Sequence, residues 1–166
     1  MVKFFVLLIS MGVSSASFGY SEIDDELLSR NLVDDNYVYT NISGLANYFR
    51  ESANEITMSL PLQLNSYIQL EGVALTPRFA QYIYRYAPSV TSEDLSNAKR
   101  DLLSNENLNI MCSESHYPYK FKTANDFETS FYYKTSTNEK VAEVVLTNKT
   151  CSDAKKIQII FDKYFY

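Results

Sequence analysis

The sequence predicts an α+β domain: a small antiparallel sheet of about four strands packed against two main helices and closed by one disulfide. Three observations carry this. Residues 62–86 read as two consecutive strands around a turn, stretches on either side of them repeat their apolar residues at intervals of three and four, and the only two cysteines, Cys112 and Cys151, bracket a second pair of strands.

Taken in order, residues 1–19 have the features of a Sec-type signal peptide. Lys3 supplies a positive start, residues 4–13 an apolar core too short for a stable membrane anchor, and small residues follow, with cleavage expected after Ala16, Ser17 or Gly19. No cysteine lies near those points, so a lipid-anchored product is not expected, and no later apolar run is long enough for a spanning helix. The chain is thus expected in the periplasm or outside the cell, without stable membrane insertion. About 147 residues remain, the size of one domain that buries about two thirds of its extended-chain surface.

Residues 20–40 form an acidic arm. Across residues 20–55, Glu22, Asp24, Asp25, Glu26, Asp34, Asp35, Glu51 and Glu55 face only Arg30 and Arg50, whereas the rest of the chain is balanced. Nucleic-acid binding is excluded by this distribution, because phosphate contacts need clustered Lys and Arg. Such a run is ordinarily a solvated face, and otherwise a handle for a basic partner. Ile23, Leu27, Leu28 and Leu32 have helical spacing within it, predicting a short helix over about 22–31.

Residues 41–166 are expected to form a single α+β domain with a C-terminal tail. Ile42, Leu45, Ala46, Phe49, Ala53 and Ile56 trace one stripe of a helix that Asn41 or Ser43 can cap and that Pro61 obliges to end by about residue 59. The next strand has Leu62, Leu64, Ile68 and Leu70 on one face and Gln63, Asn65, Gln69 and Glu71 on the other, blurred only at Ser66 and Tyr67. Gly72 and Pro77 mark a loose connection to an aromatic strand over 78–86. Tyr82, Tyr84 and Tyr86 share one face of it and are the candidate binding surface. The plain reading is that they brace the sheet; the alternative is a ligand platform.

Pro88 ends that strand, and Thr91-Ser-Glu-Asp94 opens a second helix as a capping box, with Leu95, Ala98, Leu102 and Leu103 as its stripe and an end near Asn105. Residues 108–112 are a short apolar piece, residues 117–121 an aromatic loop or edge strand. Residues 127–135 and 141–147 read as third and fourth strands, paired antiparallel through a link of hairpin length. The tail after Ser152 suits either a helix or a strand. A terminal aromatic raises an eight-stranded outer-membrane barrel as an alternative, but too few alternating segments are present.

In an exported chain the isolated pair Cys112 and Cys151 is most simply a disulfide, and closing a loop of about 39 residues is worth roughly 4 kcal/mol in the chain-entropy picture. A redox pair would stand a few residues apart, and a zinc site would need about four ligands where only His116 is added. No metal, cofactor or catalytic residue is therefore assigned. His116 sits in Ser113-Glu-Ser-His116, but triads are assembled from distant segments, and it reads as an ordinary surface histidine. No nucleophile elbow or phosphate loop is present, and the four glycines are isolated. The sequons at Asn41 and Asn148 matter only in a eukaryotic secretory host.

The order of features resembles a known family. A helix ending in Asn54-Glu-Ile-Thr-Met-Ser-Leu-Pro61-Leu, a strand, the Tyr-rich strand at residues 82–86, a helix, Cys112, Phe131-Tyr-Tyr133 and a closing Cys151 are similar to the quorum-sensing-regulated virulence factor family of small secreted bacterial proteins. The resemblance covers about residues 50–151. It implies an α+β sheet-and-helix fold, a bridge at Cys112 and Cys151, and export, and it carries over no catalytic residue. The functional expectation is a non-enzymatic periplasmic factor that binds another protein through the Tyr-rich sheet or the acidic arm. The alternative is a secreted virulence-associated effector, with a hydrolytic site at His116 as one version of it.

Overall fold

The computed structural model describes residues 22–165; the expected signal peptide lies outside them. The elements in order are α1 (Glu22–Ser29), α2 (Ile42–Thr57), β1 (Leu62–Gln63), β2 (Ile68–Leu75), β3 (Phe79–Tyr86), α3 (Ser92–Leu102), α4 (Asn105–Ser115), α5 (Lys120–Ala124), β4 (Glu128–Lys134), β5 (Lys140–Leu146) and α6 (Asn148–Phe165). The fold is α+β, with one five-stranded sheet in the order β1-β2-β3-β4-β5 and one disulfide, Cys112–Cys151. No helix among the described residues is long and apolar enough to cross a membrane.

The sheet is mostly antiparallel, but its central pair is not: β3 and β4 run parallel. A parallel pair needs a crossover of a dozen residues or more, and α3, α4 and α5 supply it. The first predicted strand is in fact two. Asn65 accepts backbone N–H bonds from Tyr67 and Ile68 at 2.8 and 3.1 Å, which folds residues 64–67 into a turn and pairs Leu62 with Leu70. Gly72 is not in the connection either. It lies inside β2 beside a bulge at Glu71, opposite Ile83, whose side chain would stand 3.3 Å from a Cβ there.

Helix boundaries follow their caps. Asn41 Oδ1 accepts from Gly44 N at 2.9 Å, and Thr91 with Asp94 forms the expected reciprocal box. Ser104 caps α4 directly after α3 ends, so the apolar piece at 108–112 is helical, and residues 117–121 lead into α5 rather than a strand. The tail is helical and starts at Asn148, earlier than Ser152.

Two clusters make up the core. The first joins Leu27, Leu32 and Val33 to Leu45, Tyr48 and Phe49 of α2, Ala80 of β3, Phe121 and Phe127. Within it the rings of Phe49, Phe121 and Phe127 meet at 5.3–6.1 Å between centroids. On α2, Tyr48 is buried while Ile42 and Ala46 of the predicted stripe are exposed. The second cluster surrounds the disulfide, with Leu102, Met111, Ala142, Val144 and Leu146.

Candidate functional site

Alternation along β3 sends Tyr82, Tyr84 and Tyr86 to one face. The parallel register sets Phe131 beside Tyr82 and Tyr133 beside Tyr84, so the rings of the two strands interleave. Successive centroids along the row Tyr82, Phe131, Tyr84, Tyr133, Tyr86 are 5.6, 6.5, 5.0 and 6.3 Å apart, with ring planes 15–31° from parallel. Tyr82 packs on the first core cluster, and Phe131 and Tyr133 on the second, so the ladder bridges them. All five rings are half-buried.

Burial raises the phenol pKa of Tyr82, Tyr84, Tyr86 and Tyr133, that of Tyr86 to about 12. Each stays a neutral donor at physiological pH. Among the described residues, the hydroxyls of Tyr82, Tyr84, Tyr86 and Tyr133 enter no hydrogen bond. A row of stacked rings with uncommitted O–H groups offers ring edges and donors, which suits a surface with both apolar area and hydrogen-bond acceptors.

The opposite face of the sheet is ionic. Glu71, displaced by the bulge, bridges Lys134 at 2.6 Å and Arg85, and these two cations hold its carboxyl below the usual range. Nearby, Glu143 accepts from Ser130 and Lys140.

His116 is not a surface residue: its exposure is 0%. It ends α4 and contacts the start of α6, where imidazole Nε2 lies 2.9 Å from Asn148 Oδ1. Asn148 Nδ2 donates to Thr123 O at 2.8 Å and to Asp126 Oδ1 at 2.6 Å. Both are acceptors only, so Asn148 Oδ1 must face the imidazole and the Nε2 proton donates to it. Nδ1 is buried without a partner. Ser113 and Glu114 are exposed while His116 is buried, so the Ser-Glu-His alternative does not converge. The Asn148 amide is committed to this network, which removes its sequon from use in the folded chain.

Two further buried groups escaped the sequence reading. Lys122 is 8% exposed; its Nζ donates to Ser115 O at 2.6 Å and lies over the Tyr119 ring at 4.3 Å. Desolvation lowers its pKa to about 8. Asp24, 2% exposed, accepts from the backbone N–H groups of Lys120 and Phe121 at 2.8 and 3.1 Å and so caps α5 from the far end of the chain. Part of the acidic run is therefore built into the fold instead of facing solvent. No local signal marks either residue, because the partners are distant in sequence.

No protein-family model and no curated protein sequence matches the chain. Among solved structures it is similar to a protein of Pseudomonas aeruginosa described as secreted, at 17% identity and a TM-score of 0.49 over 66% of this chain and 95% of that one. It is also similar to EpsS, the pilotin of the type 2 secretion system of Vibrio vulnificus, at 12% identity and a TM-score of 0.45 over 66% and 94%. The pilotin AspS of the Vibrio cholerae type II secretion system aligns over the same shares at 10% identity and a TM-score of 0.40.

Proposed function

We propose that this chain is an exported, non-enzymatic protein-binding factor that presents the ladder of Tyr82, Tyr84 and Tyr86, with Phe131 and Tyr133 between them, to another protein. The observation that carries the reading is the half-buried row of stacked rings with uncommitted hydroxyls. Tyrosine is the side chain best suited to this work, since it offers rigid contact area and a donor at little entropic cost. The resemblance to the quorum-sensing-regulated virulence factor family is in keeping with export, and the acidic run before residue 40 would steer a basic partner toward the chain.

A photo-crosslinking amino acid placed at Tyr84, and separately at Tyr132 on the opposite face, tests the reading in an expressing bacterium. One discrete adduct from position 84 and none from 132, together with loss of at least tenfold in its yield when Tyr86→Ala is added, supports it. Equal adducts from both faces, or none from position 84, overturns it.

A further inference from the structure

The His116 corner has the construction of an acid-sensitive latch. It ties three pieces of chain together through one side chain, that of Asn148: the end of α4, the end of α5 at Thr123 with Asp126 just beyond it, and the first residue of α6. The tie is made by the Nε2–H donor, which in the neutral ring leaves the lone pair on Nδ1. That lone pair is fully buried and faces no donor.

We propose that protonation of His116 opens this latch, parting Asn148 at the start of α6 from His116 and from residues 123–126, while the Cys112–Cys151 disulfide keeps α6 tied to α4. The proton comes from solvent and goes to Nδ1. It creates an N–H with no acceptor in a site shut off from water, where an unpaired donor is costly. It also creates an imidazolium near the Lys122 ammonium, whose anchor, Ser115 O, belongs to the preceding residue. Local opening restores water to both cations and relieves both costs.

The charged and titratable groups around His116 all favour the neutral ring or are spent elsewhere. From α5, Lys122 opposes a second positive charge. The carboxylate of Asp126 belongs to the corner, and it accepts from the Asn148 amide rather than from the imidazole. Asp24 of α1 is engaged with the backbone of α5. Tyr117 meets the ring edge-on at 5.9 Å, and Lys155 of α6 lies over Tyr117. Lys149 of α6 is paired with Asp153 on the surface. The disulfide between α4 and α6 does not titrate. Consistent with this setting, burial and Lys122 lower the imidazole pKa, while the bond to Asn148 raises it less.

The sign follows directly. A group whose folded pKa lies below its unfolded value binds fewer protons when folded, so the stabilisation is complete above about pH 6.5 and is lost as pH falls from there through the lower folded pKa. His116 is the only histidine, so one imidazole resonance reports the site without assignment. We expect that resonance in the full chain to titrate below the ordinary imidazole range. Corrected hydrogen-exchange protection at residues 148–152 should fall at least tenfold between pH 7.5 and 5. The melting temperature should drop by several degrees over the same interval, with the drop absent in His116→Gln and reduced in Lys122→Met. A resonance titrating at or above the ordinary range, unchanged protection at 148–152, or the same acid loss in His116→Gln overturns the latch. The resonance and the exchange are read on the unaltered protein, so neither depends on a variant folding.

Discussion

At the scale of single residues, the most consequential group is Asp24. Its carboxylate is almost fully withdrawn from water and is offset by two charge-assisted bonds to the backbone of α5. Replacing it with alanine leaves two buried N–H groups without acceptors, and we expect Asp24→Ala to destabilise the fold by about 2–3 kcal/mol in urea unfolding, where an exposed neighbour such as Asp25→Ala changes it by less than about 0.5 kcal/mol. Equal effects at the two positions would refute this account. The contrast with Thr91 shows what a sequence can reveal at this scale. The Thr91 box is legible because donor and acceptor lie three residues apart, and every part of it is in one tetrapeptide. Asp24 performs a similar capping task for α5 across 96 residues, and nothing near it in the sequence distinguishes it from the solvated acids beside it. His116 reads as a surface residue for the same reason, since its partner Asn148 lies 32 residues away.

At the scale of elements, periodicity located most strands and helices but not how they join. The alternation from Leu62 to Leu70 survives a hairpin, because Leu62 and Leu70 pair across it and therefore share a face. The turn showed only as the blur at Ser66 and Tyr67. In the same way, the aromatic strands at 78–86 and 127–135 were visible, while their parallel pairing was not: it is decided by the three-helix crossover between them. The row of Tyr82, Tyr84 and Tyr86 was legible from its spacing, but the interleaving of Phe131 and Tyr133 comes from that parallel register. The N-terminal segment also changes standing. Leu27, Leu32 and Val33 are core residues; burying a leucine or valine is worth about 1.5–3 kcal/mol each. Removing residues 22–40 should therefore abolish cooperative unfolding, as seen by loss of a thermal transition in circular dichroism. A shortened chain that still melts cooperatively near the original temperature would contradict the packing.

At the scale of the whole molecule, the buried ionisable groups set an unusual dependence of stability on pH. Lys122 has its pKa lowered to about 8, so between about pH 8 and 10.5 the unfolded chain holds a proton that the folded one lacks, and stability rises with pH by up to about 3 kcal/mol. The tyrosines of the ladder act in the opposite direction. Their phenols are raised above the ordinary value, so above about pH 10 the unfolded chain loses protons that the folded one keeps, and stability falls. Chemical denaturation from pH 7 to 11 should trace a maximum near pH 10, and Lys122→Met should flatten its rising side without moving the falling one. A monotonic decline from pH 7 would rule out a charged Lys122 in the core. The disulfide keeps such a measurement clean, because among the described residues there is no free thiol to exchange with it.

The bond from Asp24 to the backbone of α5 has a bearing on time as well as on energy. A ribosome releases the N-terminus first, yet α1 meets its cap partners only after 96 more residues have emerged. Until then Leu27, Leu32 and Val33 can meet Leu45, Tyr48 and Phe49 of α2 but not Phe121 and Phe127, and contacts so far apart in the chain form late. The first core cluster is thus incomplete through most of the chain's synthesis. For the exported protein proposed above, delayed closure of this kind would suit a chain threaded through a narrow pore before it takes its final shape.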